Sequence, residues 1–121
     1  MSDGETGIIH ERNEVGNYGK RAKLLDAVPS SKATANVYVG PWVDVSTLKS
    51  ASVEVKGTFT GTVNIEGVNH DNPQSGDTGF ALVTAPTAAA LVSLTMPIRY
   101  VRARVSGFTA GTVSAFLLGV A

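Results

Sequence analysis

The chain has 121 residues, enough for one domain and too few for two of ordinary size. It has no cysteine, which excludes disulfides, thiolate zinc sites and cysteine nucleophiles. Ten Lys and Arg balance ten Asp and Glu, and no apolar run approaches the ~20 residues that span a bilayer. We therefore expect neither nucleic acid nor a membrane as a partner, because a chain without net charge is a poor general binder of both.

Half of the charge lies in the first quarter of the chain. Residues 1–32 hold ten of the twenty charged side chains and have no sustained period of two or 3.6. The segment predicts an N-terminal arm, either a mobile terminus or an arm that orders on a partner. A short helical turn over 20–27, ending at Pro29, fits both interpretations. The side chains expected to contact a partner are its apolar clumps, its tyrosine and a basic pair: Ile8, Ile9, Tyr18, Lys20, Arg21, Leu24 and Leu25.

From Ala35 onward the pattern is one of strands and turns. Val and Thr make up almost a quarter of the chain, and 13 Gly supply turns. Apolar and polar residues alternate through 52–56, 59–66 and 100–105, which is typical of strands with one solvated face. Residues 69–79 form a polar loop, and 86–97 is interpreted as a loop that leads into a strand.

Two segments resemble each other at an offset of fifty residues. VEVKGTFTGTV at 53–63 and ARVSGFTAGTV at 103–113 share five identical residues in the same order. Each segment predicts a strand, a short loop bounded by glycines and a second strand. We therefore expect two similar hairpins, unless the echo is chance in a chain rich in Gly and Thr.

The last strand is apolar on both faces. Over 112–120, one face carries Val113, Ala115 and Leu117, and the other carries Phe116, Leu118 and Val120. A strand of this kind is covered on both sides. We expect the arm or another subunit to cover the second face, so Phe116, Leu118 and Val120 are candidates for an oligomer interface.

Arginine and tyrosine side chains line the preceding strand. Tyr100, Arg102 and Arg104 fall on its outer face and predict a stripe that binds a partner or an anion. The alternative is a charged outer face whose arginines pair with carboxylates on a neighbouring strand, such as Glu54 and Glu66.

The sequence offers little chemistry. His10 lies in the charged segment, and His70, Asp71 and Asp77 share the polar loop without the ligand spacing of a calcium loop. No nucleophile with a base, phosphate-binding glycine loop or cofactor motif is found. We expect no catalytic residues, no metal site and no cofactor, and therefore no enzyme.

The motifs from residue 35 to the end resemble a known group of proteins. NVYVGPW, VEVKGTFTGTVNIEGVNHD and MPIRYVRARVSGFTAGTVSAFLLG are similar to small β-sandwich proteins encoded in the structural gene clusters of tailed phages. The resemblance covers about 85 residues and rests on strand and turn residues. It implies an all-β fold, an antiparallel two-sheet sandwich of jelly-roll type over 33–121, with an extended N-terminal arm over 1–32.

Sandwiches of this kind occur as capsid decoration, or cement, proteins. The resemblance implies a virion protein that binds the outer capsid surface, clamps neighbouring major capsid subunits and forms a dimer or trimer. It would assemble from the host cytoplasm onto the virion. The alternatives are a carbohydrate-binding module or tail-tip adhesin, for which Tyr18, Tyr38, Trp42 and Tyr100 are the candidate aromatics, and a tail or head-completion subunit.

Overall fold

The fold is all-β and antiparallel, as the sequence predicts. A computed structural model of the protein describes residues 8–12 and 18–121. The strands are β1 Ile8–Arg12, β2 Tyr18–Pro29, β3 Tyr38–Val39, β4 Val43–Asp44, β5 Ser50–Val68, β6 Phe80–Ala81, β7 Ala90–Leu94 and β8 Tyr100–Val120. Within those ranges the only helical segment is a 3₁₀ turn over Ser30–Lys32, and no helix is long and apolar enough to cross a membrane.

Two long strands form the spine of the sheet. β5 has 19 residues and β8 has 21, and they pair from Ser50 opposite Val120 to Val68 opposite Tyr100. β2 and then β1 extend the C-terminal half of β8, while β7 pairs with the N-terminal half of β5. β3 and β4 pair with the N-terminal half of β8, and β6 pairs with the C-terminal half of β5. The strands thus belong to one hydrogen-bonded sheet, and the predicted division into two sheets is not observed in the described ranges.

The glycine-rich repeats lie in the middle of the two long strands. The register shifts between Thr60 and Thr62, and such a bulge bends a strand and increases its twist. Gly57 and Gly111 have φ angles of +120° and +89°, and a Cβ on Gly111 would overlap the Thr58 carbonyl. The expectation of two hairpins is wrong: the repeats pair with each other, with Gly57 opposite Val113. Gly57 and Gly111 serve a bend because a side chain does not fit at either position.

One face of the sheet supplies the core. Alternating residues on both halves of β5 and β8 are buried in one cluster, among them Val53, Ile65, Val105 and Leu117. The period of two predicted for these segments is confirmed, and the bend keeps the same face of each long strand directed at the core.

β2 belongs to this core, although the sequence predicts that residues 1–32 form a mobile terminus or an arm on a partner. Leu24 and Leu25 are 1% and 2% exposed. The register of β2 against β8 shifts on both sides of Leu25, and these bulges turn two consecutive leucines inward. Because the same shifts interrupt the alternation of apolar and polar residues, the sequence of β2 does not show the period of two that is typical of a strand. Residues 20–27 are strand and not helix.

Candidate protein-binding face

The outer face of the C-terminal half of β8 is apolar and uncovered by the described part of the chain. Phe116 is half-buried, while Leu118 and Val120 are 55% and 42% exposed. Val113, Ala115 and Leu117 on the other face are fully buried, as the sequence predicts. We call Phe116, Leu118 and Val120 the outer row. β1 and β2 lie beside β8 in the sheet and extend it.

Polar and charged side chains flank the outer row on the neighbouring strands. Phe116 lies opposite Glu54 on β5 and Lys23 on β2. Leu118 lies opposite Ser52 and Arg21 in the same way. Directly opposed residues of a sheet share a face, so the outer row is an apolar line between two polar borders. This arrangement is typical of a protein interface with an apolar centre and a polar rim.

Of the predicted Tyr100, Arg102 and Arg104 stripe, Arg102 is not on a free surface, whereas Tyr100 and Arg104 are partly exposed and stay predicted contacts. Arg102 is 3% exposed, and its Nε donates to Glu66 Oε1 at 2.9 Å. Its two terminal nitrogens donate to the carbonyls of Ser75 and Asp77 at 2.8 and 2.7 Å. The expectation that Arg102 contacts a partner is corrected, since every one of these bonds is internal. Its pairing with Glu66 is the alternative that the sequence left open.

Trp42 completes the environment of Arg102. The guanidinium carbon lies 4.2 Å from the centre of the Trp42 ring, within range of a cation–π interaction. Trp42 Nε1 donates to the Gln74 carbonyl at 2.9 Å. Arg102 and Trp42 therefore hold the polar loop 69–79 over the outer face of the N-terminal half of β8. Trp42 is half-buried in this contact.

The loop is also ordered by its own polar groups. Asp77 Oδ2 accepts from the backbone N–H of Gln74 at 2.8 Å and lies 3.0 Å from His70 Nε2. These bonds, chiefly that from Gln74, lower the pKa of Asp77 below its ordinary value. Asp71 pairs separately with Arg99. Among the described residues, no three His, Asp or Glu side chains are placed to hold a metal ion.

The predicted contact residues of the arm lie in different places. Lys20 is buried and its Nζ donates to the Asp44 carbonyl, and Leu24 and Leu25 are in the core. Arg21 is exposed on the outer face beside Leu118. Ile8 and Ile9 belong to β1 and Tyr18 begins β2, and their side chains lie outside the described residues, as does the whole of 13–17.

A shallow open depression adjoins the outer row at the bend. Its volume is about 500 Å³. Its walls come from β5 and β8: Lys56, Gly57, Thr58, Gly111, Thr112, Ser114 and Phe116. It contains one charged side chain and no acid, so it offers no acid–base pair for catalysis, and it continues the outer row toward the bend.

Comparison with known proteins supports the fold alone. No family model and no curated protein matches the chain. Among solved structures, the chain is similar to the crystal structure of the SPBc2 prophage-derived protein YomS, with a TM-score of 0.55 and 14% sequence identity. The match covers 84% of this chain and 95% of that chain. The two proteins therefore share most of a fold.

Proposed function

We propose that this chain is a non-enzymatic virion protein of a tailed phage, a capsid decoration protein that binds the outer capsid surface and clamps neighbouring major capsid subunits. The observation that carries the proposal is the outer row, where the described residues leave Phe116 half-buried and Leu118 and Val120 exposed. The fold shared with a prophage-derived protein and the resemblance of residues 35–121 to phage structural proteins support it.

The outer row takes the role of capsid contact that the sequence assigned mainly to the arm. Leu24 and Leu25 are buried in the core, so they do not reach a partner. The outer row is an exposed apolar line on the sheet, and Arg21 lies at its border. Ile8, Ile9 and Tyr18 remain predicted contacts from the N-terminal segment.

The mechanism is burial of apolar area repeated over many sites. Each buried Å² of apolar surface contributes roughly 25 cal/mol, so three side chains give a modest contact. When one copy bridges two capsid subunits, its first contact raises the effective concentration for the second. The overall affinity for the shell then exceeds that of either contact alone. The absence of net charge lets many copies lie close together without mutual repulsion.

Binding to purified shells of the encoding phage tests the proposal. Leu118→Asp places a carboxylate in the proposed contact, where an unpaired buried charge is costly, and we expect at least about tenfold weaker binding. Phe80→Asp is the matched control, because Phe80 is 73% exposed on β6, in the other half of the sheet.

Two results would contradict the proposal. One is shell binding by Leu118→Asp at the strength of the unmodified chain. The other is no shell binding by the unmodified chain together with specific retention on a host polysaccharide, which would favour the tail-tip adhesin.

A further inference from the structure

The edge strand β7 has none of the features that keep a sheet edge from pairing. Within the described ranges its residues pair with β5, and no backbone hydrogen bond joins them to another strand. One edge therefore presents unpaired backbone groups. Natural proteins protect such edges with charges, prolines or very short strands.

β7 and the residues on either side of it also lack the charged side chains that usually protect an exposed edge. No charged residue occurs between Asp77 and Arg99, so the whole of β7 and both its flanks are uncharged. Leu91, the second residue of β7, is 73% exposed. The other five-residue edge strand, β1, carries His10, Glu11 and Arg12. The remaining edge strands β3, β4 and β6 have two residues each.

We propose that β7 pairs with β7 of a second copy of this chain, antiparallel and across a twofold axis at Val92. This inference gives the self-association expected of the proposed decoration protein a specific surface. The pairing is isologous, so the dimer is closed, and it joins two sheets into one. Each strand satisfies the outward backbone groups of the other, as in strand addition at an exposed edge.

The side-chain pattern of β7 is self-complementary in an antiparallel pairing. In this register Val92 lies opposite Val92 of the partner subunit, and Leu91 lies opposite Ser93 of the partner subunit. Val92 and Leu94 face the core, whereas Leu91 and Ser93 are exposed, so core-facing residues meet core-facing residues. Pro86 and Pro97 lie beyond the five paired residues at either end. A complete short ladder therefore forms without a proline inside it.

Electrostatics do not oppose pairing with a second copy. The charged side chain opposite β7 on the outer face is Glu54, which lies opposite Leu91. In the paired dimer the two Glu54 residues are three strand spacings apart across the sheet and two residues apart along it, roughly 16 Å in all. That separation exceeds the screening length of about 8 Å at physiological salt, so they do not repel appreciably. The pairing also leaves both outer rows on one side of the joined sheet, available to a shell.

Sedimentation of the free protein tests the pairing separately from shell binding. The unmodified chain should sediment as a dimer, at twice the 12.5 kDa of one chain. Leu91→Lys with Ser93→Lys puts like charges opposite each other twice, and should raise the dissociation constant about tenfold or more. The same holds for Leu91→Glu with Ser93→Glu. A mixture of the two variants should restore the dimer, because each lysine then faces a glutamate.

A control carries the same charge elsewhere on the surface. Leu118→Lys with Thr109→Lys changes two exposed positions of β8 and should leave the dimer intact. A monomeric unmodified chain, a dimeric lysine variant or a mixture that stays monomeric would overturn the pairing. Loss of the dimer in the control would place the interface on the outer row instead. An unmodified chain that forms the dimer but does not bind shells would refute the proposed function and leave the pairing standing.

Discussion

The two halves of β8 solve the same problem in different ways. Both have an outer face that a single sheet leaves open to water. In the N-terminal half, the loop 69–79 covers that face, and Arg102 is bonded to two of its carbonyls. In the C-terminal half, no described segment covers Phe116, Leu118 and Val120. Hydrogen bonds within the chain therefore cover the outer face of the N-terminal half. The apolar outer face of the C-terminal half suits a contact with a different molecule.

The largest expected loss of stability comes from a substitution in the N-terminal half of β8, whose outer face the loop 69–79 covers. Arg102→Met removes the cation and leaves Glu66 half-buried without its partner, which should cost about 3–5 kcal/mol of unfolding free energy. Arg104→Met is the control on the same strand face and should change stability by less than about 0.5 kcal/mol. Denaturant titration measures both. Equal stability of the two variants would show that Arg102 does not hold the loop.

The second comparison sets the inner side of β8 against its outer side. Leu117 is 1% exposed and Leu118 is 55% exposed, at consecutive positions. Leu117→Ala should cost about 2–5 kcal/mol through loss of burial and the cavity that remains. Leu118→Ala should cost less than about 0.5 kcal/mol in the free protein. A large loss of unfolding free energy in Leu118→Ala would mean that the outer row is already covered.

The third prediction concerns the bend that separates the halves. Gly111→Ala places a Cβ against the Thr58 carbonyl at a φ of +89°, and strain of this kind costs about 1–3 kcal/mol. Gly107→Ala has the same sign of φ but open space around it, and should cost about 1 kcal/mol. Gly76→Ala has neither problem and should be close to neutral. Thermal unfolding of the three variants should follow that order, and an equal loss in all three would refute the role of the bend.

The smallest effect is a pH dependence of the loop. The pKa of Asp77 is lowered in the folded protein relative to its ordinary value of 3.8. Its contribution to stability is therefore present above that value and is lost as the pH falls through the lower folded pKa. Asp77→Asn should reduce the loss of stability between neutral pH and pH values below about 4. Unchanged acid dependence in this variant would assign the loss to other carboxylates, such as Asp44, whose pKa is also lowered.

The regular strands and the apolar outer row are predictable from the sequence because their residues keep a period of two. The strand β7 at 90–94 also follows the prediction of a loop that leads into a strand. β2 was not predictable in this way, because two bulges place Leu24 and Leu25 on the same side and remove the period. Pro29 marks the end of β2, although the sequence predicts it as the end of a helical turn.

The placement of Arg102 shows a second limit. Its position on the outer face follows from the alternation of 100–105, and the pairing with Glu66 was one of two interpretations. Its burial depends on the loop 69–79, whose carbonyls reach it from 25 and 27 residues away in the chain. Backbone carbonyls leave no trace in the sequence, so an arginine that binds them is indistinguishable from one at an interface. The edge at β7 is not predictable from the sequence, because an edge is defined by the order of strands and not by any one strand.

Radical footprinting of side chains, on the free protein and on particles of the encoding phage, tests the central claim most directly. The claim is that the C-terminal half of β8 is covered by another protein and the N-terminal half by the chain itself. Phe116 and Leu118 should be oxidised in the free protein and protected at least severalfold on the particle, while Trp42 should react equally in both. Equal oxidation of Phe116 and Leu118 in the two states, on particles shown to contain the protein, would contradict the claim.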